Sequence, residues 1–279
     1  NNKGFAPGKI IVMEQAFHGR TMATLSASGS RKVHAGFEPL VQGFIRAPYN
    51  DIDAIKTIAA NEPHVVAVML EPVQGEGGIR PANKKYLQEL REICNDNNWL
   101  MIMDEIQTGI GRTGKMFAFH HADIIPDVLL MAKALGNGIP IGACFIARKY
   151  CELFKPGSHG TTFGGNPLSC TAALSIIDII EKNALCANAQ KHGDFIKNSL
   201  SEKLGSHPNV IEVRGKGLMI GVEVDKPCRD ILKLALEEGI VFNIANEKVI
   251  RLLPPLIIDD NIAQDIVSKI VKLVNKYFS

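Results

Sequence analysis

The sequence predicts an α/β protein, a mainly parallel central sheet flanked by helices, followed by a small C-terminal α+β domain. Two observations carry this. Through the first two thirds, short apolar runs without polar alternation take turns with stretches of helical spacing, the pattern of parallel strands covered on both faces. In the last third the strands shorten and cluster between long helices. KIIVM (9–13) opens as a strand, DIDAIKTIAAN (51–61) is an amphipathic helix, and HVVAVMLEP (64–72) is the next strand. NKKYLQELREICNDN (83–97) sets Leu87, Leu90 and Cys94 on one helical face. WLMIMDE (99–105), DVLLMAK (127–133) and IGACFIAR (141–148) are further strands. NPLSCTAALSIIDIIEKN (166–183) reads as a long helix joining two domains, so a large domain is expected at 1–183 and a small one at 184–279. A second helix runs to about Leu204, then come the short strands NVIEVRG, LMIGVEV and VIRLLPP, and helices over 227–238 and 260–278.

With 279 residues, 46% of them hydrophobic and 22% charged, the chain has globular composition and room for both domains. A net charge of +2 gives no field for nucleic acid or a membrane surface, so the expected partners are small molecules and further copies of the chain. The six cysteines form no C-x-x-C pair and sit mostly in apolar runs, which points to reduced thiols used as small core residues. No run is long enough to span a membrane and no leader pattern opens the chain, so a cytoplasmic protein is expected.

One stretch, MDEIQTGIGRTG (103–114), contains G-x-G-x-x-G. A dinucleotide fingerprint needs a helix directly after the glycines and a second strand ending in an acid. Here KMFAFHHADIIPD is a poor helix, and the following strand begins with Asp127 instead of ending in an acid. The pair His120-His121 has no clustered Cys or Asp partners, so it is read as structural and no metal is expected. The acid ahead of the glycines is more telling. Asp104 ends an apolar strand, where open α/β sheets place ligand groups, and Lys133 ends the next one. The two could form a structural salt bridge. They could instead hold pyridoxal phosphate (PLP), which needs a lysine amine and a carboxylate for its pyridine nitrogen.

Five blocks, AFHGRT (16–21), EPVQGEGG (71–78), MDEIQTGIGRTG (103–114), MAKALGNGIPIGA (131–143) and HGTTFGGNP (159–167), resemble the class III PLP-dependent aminotransferases of fold type I, in family order and over essentially the whole chain. Within the class they are most similar to the enzymes that act on N2-acetylornithine. Members carry, before these blocks, a glycine-threonine loop that cradles the cofactor phosphate. No counterpart occurs here, so the N-terminal portion of the family fold is expected to be absent.

The resemblance implies roles. Lys133 forms the Schiff base with PLP and then shuttles the substrate proton, which requires an amine able to lose its charge. Asp104 keeps the pyridine nitrogen protonated, Gln107 touches the ring hydroxyl and Phe17 stacks on the ring. Glu105 and His18 are expected to be structural, His18 supporting its turn. Gly136 and Gly138 let backbone approach the cofactor. Thr162 donates to the cofactor phosphate of a neighbouring subunit and Thr161 lies near substrate, so a homodimer with shared active sites is implied. Arg20 takes the distal carboxylate of the donor. Arg251 takes the α-carboxylate of glutamate or 2-oxoglutarate, and Glu76 pairs with Arg251 when an ω-amino donor is bound. Residue type alone would leave Phe17 as a core aromatic and Arg251 as an ion-pair partner.

The activity implied is transfer of the terminal amino group of N2-acetylornithine to 2-oxoglutarate, giving N-acetylglutamate 5-semialdehyde and glutamate, a step of arginine biosynthesis. Ornithine, succinylornithine, succinyldiaminopimelate and 4-aminobutyrate stay open as donors, and so does a non-catalytic dimeric remnant.

Overall fold

A computed structural model describes residues 7–279. Its strands, in chain order, are β1 (Lys9–Met13), β2 (Phe44–Ala47), β3 (Val65–Leu70), β4 (Val73–Gln74), β5 (Arg80–Pro81), β6 (Leu100–Asp104), β7 (Val128–Met131), β8 (Ala143–Ile146), β9 (Val210–Lys216), β10 (Met219–Val224), β11 (Asn243–Ala245) and β12 (Val249–Leu252). The α-helices are α1 (Met22–Ala27), α2 (Arg31–His34), α3 (Ile52–Asn61), α4 (Lys84–Asp96), α5 (Pro167–Lys182), α6 (Leu185–Leu204), α7 (Ile231–Glu237) and α8 (Asp260–Phe278). They form two compact units. The first runs to Pro72 and adds Ala82–Gly109 and Ala118–Asp178; the second comprises Val73–Pro81, Ile110–Phe117 and Ile179–Ser279. The expected division at 183/184 is a single cut, whereas these units are assembled from several segments, and the last boundary falls inside α5.

The first unit is built on a six-stranded sheet in the order β2-β1-β3-β6-β7-β8. The first five strands are parallel, with Asp104 of β6 opposite Leu130 of β7. Ile11, Val12, Met13, Val68, Leu70, Met101 and Met103 are fully buried, which is why these strands read as unbroken apolar runs. α3 and α4 lie on the connections that return the chain to the same end of the sheet. Asp51 caps α3 by accepting from Ala54 N at 3.0 Å, worth about 1 kcal/mol. Tyr86, Leu87, Leu90 and Cys94 form the buried face of α4. β8 departs from the all-parallel pattern. It pairs antiparallel with β7, because the connection holds only a 3-10 turn and no crossover helix, and its middle residues are exposed.

The second unit has an antiparallel sheet in the order β11-β12-β10-β9. Alternation divides its faces. Ile220, Val222 and Val224 of β10 and Ile250 and Leu252 of β12 join one core with Ile196 and Leu200 of α6, Ile231 of α7, and Val267, Ile270 and Leu273 of α8. Each fully buried aliphatic side chain contributes about 1.5–3 kcal/mol before entropy is counted. Met219 faces the other way and packs on Val73 and Ile79. Helix 227–238 starts later than its pattern suggests, at Ile231, because Cys228 and Arg229 accept from Ile231 and Leu232 in tight turns.

All six cysteines are unpaired; Cys94 and Cys228 are buried, while Cys144 and Cys151 are exposed rather than core residues. No helix among the described residues is long and apolar enough to cross a membrane.

Candidate active site

In the first unit, the carboxyl ends of the parallel strands gather the residues that matter. The chain leaves β1 through a turn at Gln15, and Phe17 N donates to Glu71 Oε1 at 2.9 Å, tying this turn to the end of β3. His18 is then fixed twice: its N–H donates to Ser28 Oγ at 3.0 Å, and its Nδ1 lies 2.7 Å from Asp104 Oδ2. A carboxylate only accepts, so Nδ1 carries the proton. The two side chains are 0% and 4% exposed. Ile106 N donates to the other oxygen, Asp104 Oδ1, at 3.1 Å. Asp104 is thus held by its own backbone turn and by a residue 86 positions away.

Lys133 follows β7 three residues beyond Leu130, the register partner of Asp104. It is exposed and makes no side-chain hydrogen bond or ion pair among the described residues, so the reading of Asp104 and Lys133 as a salt-bridged pair fails; His18 occupies the acid instead. The backbone of Lys133 sits at φ +44°, a left-handed conformation that costs a side-chain-bearing residue about 1–2 kcal/mol. The loop behind it needs glycine: a Cβ on Gly136 would lie 2.0 Å from the Ile139 carbonyl oxygen, and Gly138 has φ +110°.

Two buried polar atoms beside this constellation lack partners among the described residues, Gln107 Oε1 and His18 Nε2. Buried polar atoms are rarely left so. With an acid at the end of one strand, a lysine just past the end of the next that is unbonded among the described residues, and Gln107 three residues beyond the acid, the residues present fit PLP. Arg20 is exposed and lies with its Cζ 5.6 Å from the centroid of the Phe17 ring, so these two expected residues share one turn. Thr161 and Thr162 are exposed in the loop before α5, and neither makes a side-chain hydrogen bond among the described residues.

Glu105 turns out to be structural. It is 1% exposed and accepts from Ala118 N (2.7 Å), Phe119 N (2.8 Å) and Thr108 Oγ1 (3.0 Å), closing the 3-10 turn Ala118–His121 onto the end of β6. Burial outweighs these donors and pushes its carboxyl up from 4.5 to about 7. An acid raised on folding binds its proton more tightly in the folded state. Its contribution is therefore fully present below pH 4.5 and is lost as pH rises to about 7. Stability should fall by up to about 3 kcal/mol across that window. Glu105→Gln should flatten that slope in urea unfolding; an unchanged slope would contradict the assignment.

The second unit holds the other two expected residues. Arg251 of β12 is 7% exposed and donates from Nη1 to Glu76 Oε1 at 2.6 Å. Its Nε is buried without a partner among the described residues. Glu76, on the turn between β4 and β5, is 46% exposed. One member of the pair is sunk in the sheet and the other reaches solvent. The glycine motif serves structure here: Arg112 Nη1 donates to the carbonyls of Leu218 (3.1 Å) and Pro254 (2.5 Å), and the motif runs on to the 3-10 turn Ala118–His121 instead of the helix a dinucleotide needs.

Sequence reasoning gave Glu71 and Ser28 no role and His18 only a turn. The available signal was physical: a buried strand-end acid requires a donor, and no lysine or arginine adjoins Asp104 in sequence.

The family model for class-III aminotransferases matches residues 2–274. The acetylornithine aminotransferase of Nitrosomonas europaea is 48% identical over 274 residues, covering 98% of this chain and 70% of that protein. That of Aquifex aeolicus is 45% identical over 257 residues, covering 92% and 66%. Among solved structures, the ornithine aminotransferase of Toxoplasma gondii superposes with a TM-score of 0.94 at 34% identity, covering 98% of this chain and 66% of that one. The acetylornithine aminotransferase of Elizabethkingia anophelis gives a TM-score of 0.84 at 34% identity, covering 99% and 68%. The chain therefore spans about two thirds to 70% of the relatives it matches, and within that span it belongs to the class-III aminotransferase family.

Proposed function

We propose that this chain is a PLP-dependent aminotransferase that moves the terminal amino group of N2-acetylornithine to 2-oxoglutarate, giving N-acetylglutamate 5-semialdehyde and glutamate in arginine biosynthesis. The observation that carries the reaction class is the strand-end constellation: Asp104 held by His18, with Lys133 two residues past the end of the parallel neighbour β7. The donor rests on relatives. Curated acetylornithine aminotransferases reach 43–48% identity over most of the chain, while among solved structures the ornithine enzymes stand at 33–35% and the acetylornithine enzyme of Elizabethkingia anophelis at 34%.

PLP, when bound, supplies an electron sink that lets a C–H bond beside the amine ionise. Asp104, oriented by His18 and Ile106, would meet the pyridine nitrogen, while Gln107 would offer an acceptor to the ring hydroxyl and Phe17 its aromatic face. The Lys133 amine, unengaged by any side chain among the described residues, takes the substrate proton and returns it. Arg251 binds the α-carboxylate of glutamate or 2-oxoglutarate. With an ω-amino donor, Glu76 neutralises this guanidinium, which is costly to leave buried and unpaired. Arg20 receives the far carboxylate of the donor, and Thr161 lies near the substrate. The first half-reaction takes the amino group and releases the semialdehyde; the second hands it to 2-oxoglutarate.

A homodimer with shared sites is part of the reading. Phe145, Phe163, Leu168 and Leu174, all in the first unit, are 58–81% exposed, apolar side chains that a second copy would cover while bringing Thr162 to the partner's cofactor phosphate. Six unpaired cysteines suit the reducing cytoplasm.

Single-turnover half-reactions of the PLP-loaded protein, followed by cofactor absorbance, test the donor. Acetylornithine should exceed ornithine and 4-aminobutyrate by about tenfold or more in kcat/KM, the scale of one well-placed polar contact. Preference for ornithine would overturn the donor but keep the class. A protein that dimerises and converts none of the three would overturn the enzyme reading.

A further inference from the structure

We propose that Arg214 is a positioning residue for Glu76, setting donor selectivity by clamping the turn that carries it. This rests on the reading of Glu76 and Arg251 as a substrate-responsive pair. Arg214 of β9 stands opposite Gly221 of β10, and Gly221 stands opposite Arg251 of β12. The two arginines thus share one face of the second sheet with a bare glycine between them. The Glu76 turn fills that gap. A Cβ on Gly221 would come 2.9 Å from Ile79 Cβ and 2.9 Å from Val249 Cγ1, so the turn lies against the sheet only because residue 221 has no side chain.

The guanidinium of Arg214 grips this turn by its carbonyls. Nε donates to Ile79 O at 2.9 Å and to Gly78 O at 3.2 Å, and Nη2 donates to Gly78 O at 2.6 Å. Beneath, Nη1 is anchored to Glu212 at 2.8 Å and to Glu223. The turn's internal bonds are long by comparison: Gly78 N and Ile79 N reach Gly75 O at 3.3 and 3.5 Å. Arg214 therefore adds the short bonds at Gly78 and Ile79, to a turn otherwise closed by the Gln74–Arg80 pairing, the Arg80 Nε bond to Gly77 O at 3.2 Å and the packing of Ile79. Glu76 lies two residues upstream, half-exposed, with its carboxylate on the buried Arg251. A side chain that must leave a guanidinium and return to it needs a backbone that stays in place. A lysine could neutralise the two acids beneath but could not fork across two carbonyls.

The test compares Arg214→Gln, Arg214→Lys, Glu76→Gln and the Arg214→Gln/Glu76→Gln double variant of the holoenzyme. Two readouts are taken: kcat/KM for the ω-amine and glutamate half-reactions separately, and hydrogen exchange of the 75–80 amides. Loosening the turn should lower the ratio of ω-amine to glutamate efficiency about tenfold in Arg214→Gln and Glu76→Gln alike, with no further loss in the double variant. Exchange at 75–80 should rise about tenfold in both Arg214 variants while the β10–β12 ladder keeps its protection. Arg214→Lys retains the charge over Glu212 and Glu223 and supplies the folded comparison if the glutamine variant unfolds. Additive losses in the double variant, or unchanged exchange at 75–80, would overturn the proposal. Unchanged selectivity in Glu76→Gln would instead sink the paired-switch reading and the selectivity role with it, while exchange still decides whether Arg214 holds the turn.

Discussion

Lys133→Ala is expected to lower kcat by about 10,000-fold or more, because in the proposed reaction one amine both holds the cofactor covalently and moves the substrate proton. The fold should survive. The Lys133 side chain is exposed and makes no hydrogen bond or ion pair among the described residues, so its removal strands no buried partner. The backbone sharpens the test. At φ +44° the residue is strained as lysine or alanine but not as glycine. Lys133→Gly should therefore be as inactive as Lys133→Ala yet more stable than wild type, by about 1 kcal/mol. That opposition is what a functional position held against its local preference should show. The measurements are kcat, retention of borohydride-reducible colour, and unfolding midpoints for the three proteins. A glycine variant less stable than wild type would mean that the lysine stem is structural. An alanine variant retaining a tenth of the activity would move the chemistry elsewhere.

What could be read from the sequence follows the range over which each feature is determined. β1, α3, α4, α5, α6 and α8 each have a full local pattern, and they fold close to where that pattern places them. β2 does not announce itself. It is four residues long, at the sheet edge, and carries Arg46, whose guanidinium donates to Ser26 O at 2.7 Å. α1, α2 and β11 are too short to show a period. β8 has a strand's composition, but its direction depends on the connection, which composition does not encode. The site divides the same way. Asp104 and Lys133 are legible because each ends an apolar run, and parallel strands put their carboxyl ends at one edge. The His18–Asp104 contact is not, since it depends on the turns after β1 and β6 meeting across 86 residues. The Glu76–Arg251 pair spans 175 residues and entered only through family resemblance. Arg214 entered through neither, because its partners are backbone carbonyls, which carry no sequence signature.

Asp104→Asn is expected to lower kcat by about 100- to 1,000-fold, the usual effect of deleting one preorganised electrostatic contact at a reacting system. Asparagine has the same shape, can still accept from Ile106 N, and removes only the charge and one acceptor. The lost acceptor matters at His18. An amide NH2 facing Nδ1–H forces the imidazole to its other tautomer, moving the proton to Nε2, the atom that already lacks a partner among the described residues. The stability cost should be about 1–2 kcal/mol, well short of unfolding. His18 acts through Asp104, so its own substitutions should show a graded response. His18→Asn keeps a donor near Nδ1 and should lose little, whereas His18→Leu frees the carboxylate to rotate and should lose about tenfold. Combined with Asp104→Asn, His18→Leu should cost nothing more in kcat, because the geometry it protects no longer carries a charge. The decisive readouts are kcat and cofactor dissociation for the four variants, with unfolding as control. If Asp104→Asn stays within tenfold of wild type, or if the two substitutions add, the buried acid is not the group that meets the ring nitrogen, and His18 is no more than the end of a turn.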